Sequence, residues 1–146
     1  MAIKDSYPIK KLPITKGYIF VSIGNQGRIV KVVLYQYSNN NFYNLAFGDW
    51  INGDVNDSIV SNNNDLQKVI STVAKTIYQF TEEYPLAIIK IQGVDSKRTK
   101  LYNTIFRRRF FEIKENFSVK GIVNGKREDY NPSKSYEKFE VKRKIL

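Results

Sequence analysis

Residues 86–111, LAIIKIQGVDSKRTKLYNTIFRRRFF, decide how the chain is read. Leu86, Ala87, Ile88, Ile89 and Ile91 follow Pro85 as a short run rich in β-branched residues, too short for an independent helix. The run is expected to be a central strand, buried on both faces. Gly93 ends it, and Asp95 or Ser96 supplies the side-chain oxygen that caps the helix after it. That helix spans about residues 97–111. With Ile105 pointing inward, a step of about 100° per residue brings Leu101, Tyr102, Arg98 and Arg109 toward the inner side. Lys97, Lys100, Arg107 and Arg108 then share the opposite face.

The two sets of cations need separate explanations. Lysines and arginines on an outer stripe keep a protein soluble and equally form a binding surface. A guanidinium turned inward needs an acid or an anion to offset its desolvation. Glu112 lies within helical reach of Arg109, and Asp95 stands three residues before Arg98. Arg98 is the sharper candidate, because it sits at a helix N-terminus beside a strand end, where anions bind.

The remaining composition bounds the chemistry. A chain of 146 residues buries about 68–70 % of its unfolded surface, so one domain needs no disulfide or metal. With no cysteine and no histidine, thiolate catalysis, histidine acid–base chemistry and a Cys/His zinc site are excluded. The first 16 residues, with Pro8 and Pro13 among lysines, read as an extended arm rather than a signal peptide or membrane span, and a cytoplasmic protein is expected. Residues 1–85 hold eight Lys/Arg against seven Asp/Glu, whereas residues 86–146 hold sixteen against seven. The second half therefore carries nearly all of the net +10. An anionic ligand, nucleic acid or an acidic protein is the partner such asymmetry suggests.

Residues 17–23 and 28–37 alternate as strands around the turn GNQG, and residues 42–47 form a third strand. In residues 48–64, GDWINGDVNDSIVSNNN, Asp49, Asp54 and Asp57 with the following Asp65 lack the spacing of a calcium loop, so no metal site is expected. Trp50 reads as a lid on the core. Asn63 or Asn64 caps a helix whose Leu66, Val69, Ile70, Val73, Ile77, Phe80 and Tyr84 recur at helical spacing, and Pro85 stops it. Residues 117–123 and 136–142 are strands, separated by a charged loop, NGKREDYNPSKS. The sum is an α+β domain over residues 1–146, with a mostly antiparallel sheet of about six strands and two main helices in the order βββαβαββ.

That order resembles the core of the GCN5-related N-acetyltransferase (GNAT) fold. In that family the helix after the fourth strand opens with a glycine-rich loop for the coenzyme A pyrophosphate. Here the matching residues 58–65, SIVSNNND, contain no glycine and end in an acid, so no cofactor is expected. The resemblance implies a proton-donating tyrosine on the last long helix, and Tyr102 holds a similar place. YNLAFGD (43–49), SNNNDLQKVISTV (61–73) and SKRTKLY (96–102) also resemble a bacterial family of small proteins known only as a domain of unknown function.

Three functions compete at this level. The first is a binding module for an anionic partner through Arg98, Lys97, Lys100, Arg107, Arg108 and Arg109. The second is an atypical acyl- or group-transferase using Tyr102, and the third is a protein-interaction member of a two-gene stress or phage-defence system.

Overall fold

A computed structural model describes residues 5–56 and 63–145. Among these residues it is an α+β fold with two helices and a mostly antiparallel sheet. The chain forms two compact units, one from residues up to Gln36 with Leu45–Glu83, the other from Tyr37–Asn44 with Tyr84 onward.

In the first unit β1 (Lys10–Lys11) pairs antiparallel with β2 (Gly17–Gly24), and β2 with β3 (Gly27–Tyr37). The register runs from Gly17 opposite Leu34 to Gly24 opposite Gly27, so GNQG closes as the expected two-residue hairpin. The larger part of β4 (Phe42–Ile51) also lies here, with β5 (Asp54–Asn56) antiparallel to it. α1 (Leu66–Glu83) packs on this sheet through Phe80, which stacks on Tyr35 at 4.1 Å between ring centroids. Its buried face is less apolar than the spacing implies. Thr72 and Thr76 are buried, and Thr72 Oγ1 accepts the Tyr7 amide at 2.9 Å while Thr76 Oγ1 meets the Tyr35 hydroxyl at 2.8 Å.

In the second unit the first residues of β4 run parallel to β6 (Ile88–Gln92), with Phe42 opposite Ile88. β6 then pairs antiparallel with β9 (Lys138–Arg143), β9 with β7 (Phe117–Val123), and β7 with β8 (Lys126–Asp129). α2 (Ser96–Asn116) connects β6 to β7 and buries Phe106 against Phe139, whose rings stack at 4.2 Å. β6 is buried at Ile89 and Ile91 and half-buried at Ile88 and Lys90, so only one of its faces is sealed.

Among the described residues eight strands succeed one another along the hydrogen-bonded path, with β5 as a side branch, where about six were expected. The added strands have physical causes. Asn52-Gly53 and Asn124-Gly125 all have positive φ, 52°, 78°, 51° and 73°, the mirror-image turn that matches strand twist. The first lets β4 continue through Trp50 to Ile51 and return as β5; the second turns part of the supposed charged loop into β8. β1 arises where the N-terminal arm pairs through Lys10 and Lys11.

The start of α1 also differs from expectation. Asn63 does not cap: its Oδ1 accepts the Gln26 amide at 2.5 Å and its Nδ2 donates to Gly27 O at 2.8 Å, pinning the first hairpin. Asp65 stands directly before the helix and takes the Val69 amide on its carbonyl at 3.0 Å. Asp57 and residues 58–62, the greater part of the segment compared with the pyrophosphate loop, lie outside the described residues.

Candidate anion site at the start of helix α2

The end of β6 meets the first turn of α2 at very short range. A Cβ on Gly93 would lie 2.5 Å from the Thr99 amide nitrogen and 2.6 Å from Thr99 Oγ1, so only glycine fits there. Asp95, extended at φ −149°, is the N-cap: its Oδ1 accepts the Arg98 amide at 2.8 Å and its carbonyl accepts the Thr99 amide at 3.0 Å. The remaining amides of the first turn, Ser96 and Lys97, have no intrahelical acceptor.

Arg98 lies beside this cap and is 8 % exposed. Its Nη1 is 3.8 Å from Asp95 Oδ2, beyond hydrogen-bond range, and this nitrogen is buried without a hydrogen-bond partner among the described residues. Asp95 itself has 53 % of its side chain exposed, so its charge is largely spent on water. A buried guanidinium, the positive end of a 21-residue helix and one solvated carboxylate leave the place with a surplus of positive character. Chemically, it is suited to a carboxylate, phosphate or sulfate oxygen.

The other expected site residues fall into two places. Lys97 and Lys100 are exposed and share the first turns of α2 with Arg98. Arg107 and Arg108 are exposed about 14 Å further along the axis, so they do not join the Arg98 site. Arg107 Nε donates to Pro132 O at 3.1 Å. Arg109 is half-buried and engaged with neighbours, as is Tyr102 one turn after Arg98. The inner side of α2 centres on Phe106, with Asn103 buried beside it, and not on Ile105. Asn103 is buried because its amide closes a two-way clamp on the Tyr136 backbone, donating to O at 2.8 Å and accepting from N at 2.7 Å.

The first unit holds buried polar groups of its own, in which Asp49 and Asp65 take part as ion-pair and hydrogen-bond acceptors. Lys31 Nζ and Asp49 Oδ1 meet at 2.5 Å with side chains 6 % exposed. A signal existed: Lys31 interrupts the run IVKVVLY on the same strand face as Val33 and Tyr35, where a lysine needs a carboxylate. Nearby, Asp65 Oδ2 accepts from the Tyr7 hydroxyl and from Ser22 Oγ, each at 2.5 Å, and Tyr7 accepts the Ile23 amide at 3.0 Å. Burial, then the bond to Asp65, pushes the Tyr7 hydroxyl above its ordinary range. These groups bond to one another, and Ser22 is fully buried, so they brace the unit.

Among the described residues no group of three or more acids is placed to hold a metal ion, and no helix is long and apolar enough to cross a membrane. Comparison with known families matches residues 3–144 to a Family of unknown function (DUF6934). No curated protein and no solved structure matches the chain.

Proposed function

The chain belongs to the DUF6934 family, whose function is unknown, and from that premise we propose that it is a binding module for an anionic ligand, held at the start of α2. The observation that carries this reading is Arg98, buried yet with no hydrogen-bond partner on Nη1 among the described residues. A charged group left in that state costs several kcal/mol of folding free energy unless a ligand completes its shell, by an order-of-magnitude estimate for buried ions. The frame is GNAT-like. Its support is the order of elements and a parallel strand pair, β4 with β6, directly before the helix that bears the site.

An atypical acyl- or group-transferase is the second reading, favoured by Tyr102 standing one turn beyond Arg98 on the same side of α2. Asp65 weighs against it. At the start of α1, where a coenzyme A pyrophosphate would need positive charge, the chain places a carboxylate already held by Tyr7 and Ser22.

The test is thermal unfolding with phosphate, sulfate, citrate, nucleotides and coenzyme A at matched ionic strength, for the natural protein and Arg98→Met. At 100 times its Kd an anion stabilises by about 2.7 kcal/mol, a readily measured shift. The proposal expects that shift for the natural protein and its loss in Arg98→Met. Equal shifts in both proteins, or none in either, would refute it. A response confined to coenzyme A would favour the transferase.

A further inference from the structure

The outer face of α2 carries a second, independent feature. At about 100° per residue, Lys97, Lys100, Arg107, Arg108, Phe111 and Lys114 fall within one sector about 120° wide, running about 25 Å along the axis. Glu115 is the one acid of α2 in that sector. Among the described residues none of its five cations is in an ion pair, so their charge faces solvent. In their midst Phe111 is 74 % exposed, with Lys114 Nζ 4.6 Å from its ring centroid. A large aromatic ring left in water on a helix that buries Phe106 is not there for the core.

We infer that this face binds single-stranded nucleic acid, with phosphates along the cations and one base stacked at Phe111. Charge complementarity selects a polyanion, and the exposed ring among the cations selects one that carries flat bases. Contacts to phosphates and stacking on a ring carry no base-edge readout, so the inferred mode is independent of sequence. Double-stranded DNA fits less well, because its bases are already stacked. The site does not depend on Arg98, which lies on the buried side of the same helix.

The experiment is fluorescence anisotropy of labelled oligo(dT) and oligo(U), each of about twelve nucleotides, over a range of salt concentrations with the full chain. Five contacts at about −0.7 each give a slope of log affinity against log salt near −3.5. Lys100→Ala with Arg108→Ala lowers that slope by roughly 1.4. Phe111→Ala weakens binding by roughly 5- to 150-fold while leaving the slope unchanged. Each of these side chains is exposed, and circular dichroism checks that the variants fold. Arg98→Met leaves oligonucleotide affinity unchanged, which separates this proposal from the small-anion site. Absence of binding at low salt overturns the inference. So does inorganic polyphosphate or polyglutamate binding as tightly as the oligonucleotides with Phe111→Ala silent, because the face would then be a docking surface for charge alone or for an acidic protein.

Discussion

Arg98→Met should make the ligand-free protein more stable, although it deletes a side chain that is 8 % exposed and stands in an ion pair by distance. The reason lies in what each atom of Arg98 does. Methionine keeps most of the apolar stem, and with it the packing of a long side chain. It discards Nη1, which is buried and has no hydrogen-bond partner among the described residues, a state that costs about 1–3 kcal/mol or more for a charged group. What is lost is the attraction to Asp95 at 3.8 Å, and with that carboxylate 53 % exposed it resembles a surface pair of about 0.2–1 kcal/mol. The cap survives, because Asp95 Oδ1 bonds the backbone amide of residue 98 and not its side chain. The difference is a gain of about 1–2 kcal/mol, or roughly 2–8 °C in Tm for a chain of this size. Urea denaturation in a buffer free of multivalent anions measures it. A loss of 1 kcal/mol or more would refute the reasoning, because it would make Arg98 a structural residue whose contacts hold the unit together.

Three further outcomes follow from the same structure. Asp49→Ala removes the buried carboxylate that meets Lys31 at 2.5 Å and should cost about 3–5 kcal/mol, whereas Lys31→Met with Asp49→Leu should fall closer to the natural stability; urea titration of the pair checks both. Gly121→Ala places a Cβ 2.3 Å from Tyr136 Cδ1 and should cost about 1–3 kcal/mol by overpacking, read as a lower Tm. Glu128 accepts from Lys134 and from the Tyr136 hydroxyl, in that order of effect, and these hold its carboxyl below the ordinary 4.5. Its contribution is therefore complete above pH 4.5 and is lost as pH falls through the lower folded value. Glu128→Gln should flatten that acid limb of the stability profile, and an unchanged limb would count against the linkage.

The start of α2 was legible because its signals are local. A glycine where the strand ends, Asp95 three residues before Arg98, and a clean basic helix each act within a few residues. The face of that helix was legible only in part. Taking Ile105 as the inward residue rotates the wheel by one step, since Phe106 stacks on Phe139 and the polar Asn103 turns inward to clamp Tyr136, a partner 33 residues away. Arg98 and Tyr102 still fall on the inner side because the buried arc is wide. The added strands were legible in principle. Asn52-Gly53 and Asn124-Gly125 are the strongest short-range hairpin signal, but their charged and Asx-rich surroundings look like loop. Nothing local marks Asp65 as the acceptor for Tyr7 and Ser22, which are 58 and 43 residues distant. The lone lysine of β3 did announce a buried acid, though not which one.

The most direct test of an anion at Arg98 is a titration of isotope-labelled protein with inorganic phosphate, followed by NMR through the amides of α2 and the arginine side-chain nitrogens. The account predicts saturable shifts at the Ser96 and Lys97 amides and at the Arg98 guanidinium, absent in Arg98→Met. Shifts that never saturate and spread evenly over the exposed lysines, with the first turn of α2 unmoved, would contradict it.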